Sequence, residues 1–309
     1  MARSKQKPQI MQMTVAQFEA MFPNEDACDE YLIAQRWPTG VHCPRCGSTR
    51  PYALATRKWH WECPDCRQGG AYRFSDITGT IFENTNKPLR DWFRVIHLML
   101  TSKKGISARQ VHRYMGFGSL KTAWYMCHRI RAGLQNEEFR KLMGVVEIDE
   151  TWVGGKIGNR HVGKRTNKDD DGSAGPHGGN KTAVVGAVSR KGNVVARVIG
   201  RVDRATLNHF ISETISTKVS LLAHDDNKAY RDLPAGYTDG TVKHARQQYV
   251  VGAIHTNTIE GFWSILKRGV IGTYHKVSPK YLPLYVAEFQ FRYNNRNNRE
   301  IFQTAIAGL

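Results

Sequence analysis

Three acidic residues stand where apolar runs end or where a helical pattern begins. Asp149 follows the largely apolar run 145–148, which is typical of a buried strand, and Asp225 closes a second such run that starts at Val219. Glu260 opens a helical pattern 35 residues further along the chain. Carboxylates at the ends of buried strands and on a neighbouring helix are the ligands that a hard cation such as Mg²⁺ prefers. The pattern therefore predicts a metal-dependent site.

These acids also have ordinary structural explanations. Asp225 and its neighbour Asp226 are both compatible with a cap for the segment that follows, and Glu260 fits a capping box begun by Asn257. Glu260 and Lys267 nevertheless share one face of the helical pattern. A carboxylate and an ammonium two turns apart on one face can serve a metal ion and the phosphate beside it.

Two C-x-x-C pairs separated by 16 residues predict a zinc site. The four cysteines are Cys43, Cys46, Cys63 and Cys66. Residues 41–75 are too short to bury a core of their own and need such a staple. The zinc is predicted to be structural, because four thiolates leave no open coordination position. The alternative, a pair of redox dithiols, lacks a supporting βαβ pattern.

The charge of the chain points to a polyanionic partner. The 309 residues carry a net charge of +18, with a pI near 9.8, which favours nucleic acid over the alternative of solubility alone. Residues 86–131 hold ten Lys or Arg and one acid, Asp91. A solvated helix face would mix its signs, so this segment favours phosphate contact over a merely basic spacer.

Two helices separated by a tight, glycine-containing turn are predicted within this basic segment. Ser107 begins a capping-box pattern, the turn follows at 116–119, and Ser119 caps the next helix. This is the helix-turn-helix pattern, in which the second helix enters the major groove of DNA. The side chains expected to contact DNA from that helix are Lys121, Thr122, Arg129 and Arg131.

The second half of the chain changes to a mixture of strand and helix patterns. Strands are predicted at 145–149, 182–189 and 193–199, at the run ending at Asp225, and near 248–254. Helices are predicted near 204–216, from about Glu260, and over 281–297. The polar, glycine-rich stretch Gly154 to Lys181 is predicted to be a flexible insertion.

Several segments together resemble one known family. They are the cysteine pairs, Thr80 to Phe82 with Pro88-Leu89 and Trp92-Phe93, Val146 to Gly155, His224 to Tyr230, His255 to Trp263 with Lys267-Arg268, and Arg292 to Arg296. In these motifs the chain is similar to the bacterial insertion-sequence DDE transposases, which join an N-terminal zinc ribbon and helix-turn-helix to an RNase H-like catalytic domain. The resemblance implies an α/β catalytic domain with a mixed sheet, three antiparallel strands followed by parallel ones.

The resemblance also implies roles for individual residues. Asp149 and Asp225 would be the two catalytic aspartates, with Glu260 as the third acid, together binding two Mg²⁺ ions or Mn²⁺ in their place. Asp225 is preferred to Asp226 because it stands five residues before Tyr230. Lys267, with Arg268, would contact transposon-end DNA. Some relatives use Asn in the third position, so Asn257 stays open as an alternative to Glu260.

The expected protein is a DNA transposase that binds insertion-sequence ends and catalyses metal-dependent cleavage and strand transfer. Its partner would be double-stranded DNA, at element ends and target, bound by a homo-oligomer in the cytoplasm at the nucleoid, with no membrane segment. The alternatives are a nuclease without strand transfer and a DNA-binding regulator with an inactive nuclease domain. The expected domains are a short helical segment at 1–40, a zinc ribbon at 41–82, a helix-turn-helix region at 83–143 and the catalytic domain at 144–309, with its insertion at about 154–181.

Overall fold

The computed structural model describes residues 13–66, 70–135, 141–154, 181–190, 192–230, 232–242 and 255–309. The chain divides into two compact units. The first unit comprises residues 1–134 and 296–309, and the second unit comprises residues 135–295.

The first unit begins with two capped helices and a small sheet. Helices α1 (Val15–Met21) and α2 (Glu25–Arg36) start at Thr14 and Asn24, whose side chains accept backbone N–H bonds of the first turn. The sheet is antiparallel in the order β1-β2-β3, and its strands are β1 (Tyr52–Ala53), β2 (His60–Cys63) and β3 (Tyr72–Ser75). Its small core comprises Cys43, Trp61, Cys63 and Phe74.

Four further helices lie in the described residues of the first unit. They are α3 (Leu89–Thr101), α4 (Ala108–Met115), α5 (Leu120–Gly133) and the C-terminal helix α9 (Ile301–Ala307). The predicted caps are present, since Ser107 accepts from Gln110 N and Ser119 accepts from Lys121 N. Gly116, with φ of +64°, ends α4 in the left-handed conformation that glycine favours.

The C-terminal helix was not predicted from the sequence. Its residue Phe302 stacks edge-on against Phe18 and Phe93 and lies 5.6 Å from the ring centre of Phe22. These contacts assign residues 296–309 to the first unit, whereas the expectation placed all of 144–309 in one domain. An apolar cluster built from distant segments explains the difference.

A mixed five-stranded sheet is the centre of the second unit. The strand order is β6-β5-β4-β7-β8. The pairs β4–β5 and β5–β6 are antiparallel, and the pairs β4–β7 and β7–β8 are parallel. The strands are β4 (Val145–Val153), β5 (Thr182–Ser189), β6 (Val194–Ile199), β7 (Leu221–Asp225) and β8 (Asp239–Val242).

Helices cover both faces of this sheet. On one face Val146, Ile148 and Leu222 share an apolar core with α6 (Arg204–Thr214). On the other face Val184 and Val188 share a core with α7 (Asn257–Gly269) and α8 (Leu282–Asn294). Alternate residues of a strand point to opposite faces, which explains why β4 feeds one core with its even-numbered residues. The RNase H-like arrangement predicted from the sequence is confirmed.

Two details of the second unit differ from the expectation or lie outside the description. Strand β8 was not predicted, because its four residues show no apolar alternation. The strand expected near 248–254 and the insertion from 155 to 180 fall outside the described residues. None of the helices within the described parts of the chain is long and apolar enough to cross a membrane.

Candidate active site and zinc centre

The two predicted aspartates meet because their strands are parallel neighbours. The register pairs Glu147 of β4 with Ala223 of β7, and each aspartate lies two residues beyond its member of that pair. Asp149 and Asp225 therefore reach the same edge of the sheet. Asp225 also accepts a bond from Asn227 N at 3.1 Å, which orients its carboxylate within the turn that follows.

A third carboxylate joins them, and it belongs to Glu150. One carboxylate oxygen each from Asp149, Glu150 and Asp225 lies within 4.8 Å of the other two. Sequence analysis missed Glu150, because strand alternation sends neighbouring residues to opposite faces. Its position directly after Asp149, at the edge where β7 ends, was the available signal. Three converging oxygen ligands match the donor set of a divalent cation such as Mg²⁺.

Burial and mutual repulsion destabilise the ionised forms of the carboxyl groups in this cluster. Burial, reinforced by the negative charge of Asp225, raises the pKa of Asp149 to about 6. Burial likewise raises the pKa of Glu150 to about 7, although the phenol of Tyr230 opposes the shift. A bound cation would stabilise the ionised carboxylates that repel one another here. The electrostatics therefore fit a metal site.

The predicted third acid, Glu260, lies on the exposed side of α7. Its Oε1 accepts a bond from the Thr256 hydroxyl at 2.9 Å. Glu260 is outside the group of three oxygens, but its charge is among the causes that raise the pKa of Asp149. The two alternatives are also exposed: Asp226 follows the end of β7, and Asn257 is the first residue of α7.

Helix α7 contacts the acidic cluster through an indole. Trp263 donates from Nε1 to Oδ2 of Asp149 at 3.0 Å. The residue paired with Asp149 on β5 is Gly186, and a Cβ atom there would come within 2.6 Å of the Trp263 ring. The absence of a side chain at Gly186 thus permits Trp263 to approach the sheet and orient Asp149.

The four predicted cysteines form the second group that could hold a metal ion. The Sγ atoms of Cys43 and Cys66 are 3.8 Å apart, and those of Cys46 and Cys63 are 3.7 Å apart. Tetrahedral zinc with Zn–S bonds of about 2.3 Å separates its sulfurs by about 3.8 Å. All four cysteines are free of disulfides, and Gly47 turns the chain after the first pair with φ of +74°. The donor set and its spacing fit a structural zinc ion.

Comparison with known protein families agrees with both centres. Residues 141–294 match the model of the ISXO2-like transposase domain, and residues 23–76 match that of the transposase zinc-ribbon domain. The chain belongs to the insertion-sequence transposases with an N-terminal zinc ribbon. The family assignment made from the motifs is therefore confirmed.

One relative and one solved structure complete the comparison. The chain is 28% identical over 282 residues to a protein of the transposable element ISH50 from Halobacterium salinarum, covering 88% of this chain and 90% of the relative. It also matches a chain in the cryo-EM structure of a simian T-cell lymphotropic virus intasome in complex with PP2A regulatory subunit B56 gamma. That match covers 60% of this chain and 66% of the other, at 15% identity and a TM-score of 0.26, which is too low to support a conclusion.

The residues predicted to contact DNA occupy different environments in this transposase. Lys121 is exposed and Thr122 is half-buried in the first turn of α5. Arg129 is half-buried and donates to Glu83 O at 3.1 Å. Arg131 is only 1% exposed, so its guanidinium lacks the surface needed for a phosphate. The prediction that Arg131 contacts DNA does not fit the structure, because the helix turns this residue into the interior.

The two basic residues predicted to bind transposon-end DNA lie at the other end of α7. Lys267 and Arg268 are exposed in its last turn, and Arg268 donates from Nε to Ser264 O at 3.1 Å. Cations near a helix C-terminus interact favourably with the helix dipole. Because Glu260 is exposed on the same helix, α7 presents an acid and a base to solvent two turns apart.

Proposed function

We propose that this transposase binds the ends of its element and catalyses metal-dependent phosphodiester cleavage followed by strand transfer. The observation that carries the proposal is the convergence of Asp149, Glu150 and Asp225 at one edge of a mixed sheet, in a chain of the transposase family. The net charge of +18 supports a DNA substrate. Assembly as a homo-oligomer on double-stranded DNA and a location at the bacterial nucleoid in the cytoplasm belong to the same proposal.

The protein's own residues hold the ions and the substrate in this proposal. Asp149 and Asp225 would hold two Mg²⁺ ions, with Mn²⁺ as a substitute. The chemistry that such ions would supply is activation of a water or a DNA 3′-hydroxyl and stabilisation of the leaving oxygen. Trp263 orients Asp149 through its hydrogen bond. Phosphoryl transfer of this type depends on positioning and charge neutralisation, so no protein nucleophile is required.

DNA binding would be distributed over both units. The exposed Lys121 and the neighbouring Thr122 lie in the first turn of α5, where side chains of a recognition helix reach base edges. Arg129 would support the phosphate contacts, and Lys267 with Arg268 would bind the DNA strand next to the acidic cluster. The structural zinc would hold the ribbon in its folded form.

The experiment compares cleavage and joining of DNA carrying the element ends. Replacing Asp149 or Asp225 with Asn should lower Mg²⁺-dependent cleavage by about 100-fold or more, while binding of end DNA persists. Asp226→Asn, at the exposed neighbour, is the matched control and should retain activity. Cleavage that survives either of the first two changes would refute the site. Cleavage without joining would support the nuclease alternative, and binding without any turnover would support the regulator.

The third metal ligand is tested separately, since Glu150 and Glu260 are both candidates. The structure supports Glu150 as the third ligand, because one of its carboxylate oxygens lies within 4.8 Å of an oxygen of each aspartate. The resemblance to the family motif supports Glu260. Mn²⁺ affinity of Glu150→Gln and Glu260→Gln, measured by electron paramagnetic resonance, distinguishes them. Loss of a ligand should weaken Mn²⁺ binding by about 10–100-fold. If a variant binds Mn²⁺ as tightly as the unmodified protein does, the residue replaced in that variant is not a metal ligand.

A further inference from the structure

Glu147 is a fully buried carboxylate that the proposed function does not use. It lies on β4, two residues before Asp149, and is 0% exposed. Burial of an ionised carboxylate is costly unless cations or hydrogen-bond donors compensate it. Donors must therefore surround Glu147, and the elements that supply these donors are held in place by the carboxylate.

The donors come from the start of α7 and from the turn after β5. Oε2 accepts from Thr258 N at 2.7 Å and from Ile259 N at 3.1 Å, and Oε1 accepts from the Thr258 hydroxyl at 2.8 Å. Arg190 donates from Nε to Oε1 at 2.7 Å. Nδ1 of His255 lies 3.2 Å from the same oxygen. One side chain thus joins three segments of the second unit.

These contacts perform the task of a helix cap. The N-cap residue of α7, Thr256, does not cap the backbone N–H groups of the first turn, because its hydroxyl donates to the Glu260 side chain. The amides of Thr258 and Ile259 would lack partners, because the first N–H groups of a helix have none within the helix. Glu147 satisfies both amides from the neighbouring strand, and its negative charge is favourable at the positive end of the helix dipole.

The cap has a consequence for the acidic cluster. Glu147 and Asp149 are two residues apart on one strand, so both side chains point to the face that α7 covers. Glu147 holds the first turn of α7, and Asp149 accepts the bond from Trp263 in the next turn. Glu260 follows the capped residue Ile259 directly. Two neighbouring carboxylates of β4 thereby determine where α7 lies along the strand.

We propose that Glu147 is a positioning residue, which caps α7 from the sheet and thereby holds Trp263 against Asp149 and fixes the position of Glu260 on the helix. This inference rests on the proposed function, because it assigns Glu147 a role in the same site. Glu147 itself binds neither metal nor DNA. Its effect on the reaction passes through α7.

The test is Glu147→Gln in the full-length protein. The glutamine amide group would place donors against Arg190 or against the amides of α7, so one of the two sets of bonds is lost. We expect Mn²⁺ affinity to fall by about 10-fold and kcat for end cleavage to fall by about 10–100-fold, with KM for DNA unchanged. Glu147→Asp keeps the charge and should recover part of both losses.

Two comparisons keep the result interpretable. Glu213→Gln, at an exposed acid of the same unit, should behave as the unmodified protein does. If circular dichroism shows that Glu147→Gln does not fold, Thr258→Val takes its place. This change removes the hydroxyl that donates to Glu147 and should also weaken Mn²⁺ binding. If Glu147→Gln folds and its Mn²⁺ affinity is unchanged, the inference is overturned. If Glu147→Gln does not fold, unchanged Mn²⁺ affinity in Thr258→Val overturns it. Asp149→Asn, measured in parallel, separates the two hypotheses, because full Mn²⁺ binding there would refute the proposed function itself.

Discussion

Replacing Gly186 with alanine tests the close approach between the sheet and α7. A Cβ atom at this position would lie 2.6 and 2.8 Å from the Cη2 and Cζ2 atoms of Trp263, and 3.2 Å from Cδ1 of Ile259. Carbon atoms in contact are normally separated by about 3.5–4.0 Å. The indole must therefore move by roughly 1 Å, as the difference between these distances requires.

The surroundings leave the indole little room for that movement. Trp263 is 4% exposed and Ile259 is 0% exposed, and both belong to the core between the sheet and α7. An additional methyl group in a closely packed core costs about 1–3 kcal/mol. Movement of Trp263 would also lengthen its 3.0 Å bond to Asp149. We expect the free energy of unfolding to decrease by about 1–3 kcal/mol and Mn²⁺ affinity to decrease with it.

Urea denaturation and Mn²⁺ titration measure the two effects. Gly261→Ala is the matched control on α7, because no atom lies within 4 Å of the added Cβ. This control should increase stability by about 0.5–1 kcal/mol, since alanine favours helix over glycine. Combining Gly186→Ala with Trp263→Phe should cost less than the sum of the single changes, because the clashing ring atoms are removed. If Gly186→Ala unfolds at the same urea concentration as the unmodified protein, the steric reasoning is refuted.

Three further predictions concern the first unit. Metal analysis should find one zinc ion per chain. Removal of the zinc by a chelator should lower the melting temperature, because structural zinc supplies folding energy, and Cys63→Ser should have the same effect. Burial, reinforced by the charge of Asp76, raises the pKa of Asp29 to about 8. Since the pKa in the unfolded chain is about 3.9, the free energy of unfolding should fall as the pH rises from about 4 to 8. In thermal melts, Asp29→Asn should flatten this pH dependence. Lys121→Ala should weaken end binding, and the slope of log K against log salt should decrease by about 0.9 if this side chain contacts one phosphate; an unchanged slope would exclude the contact.

Local hydrogen bonds explain why parts of the fold could be predicted from the sequence. Asn24, Ser107 and Ser119 cap their helices within three residues, so the sequence contains both partners of each bond. The C-terminal helix lacked such a cap, and its stability comes from Phe302 among aromatic residues of distant segments. Tertiary packing of that kind leaves no local pattern to recognise.

The position of the acidic site could be predicted for a related reason. Asp149 and Asp225 end two apolar runs, and the ends of parallel strands meet at one edge of a sheet. The identity of the third carboxylate could not be predicted in this way, because Glu150 reaches the cluster from the other side of its strand. Arg131 shows the same limit for the basic helix, since charge alone does not reveal which face is buried.

Glu147 and Asp149 show how neighbouring carboxylates of one strand acquire different roles. Both are acids on the same face of β4, and residue type gives no reason to separate them. Glu147 is enclosed by Arg190 and by the first amides of α7, so its oxygens are already committed to the protein. Asp149 keeps partial exposure, accepts the indole bond of Trp263 and a backbone bond from Glu150, and faces the charge of Asp225, so its carboxylate is available to a cation. The partners around each carboxylate, supplied by a turn and a helix distant in sequence, decide which acid supports the fold and which is available for chemistry.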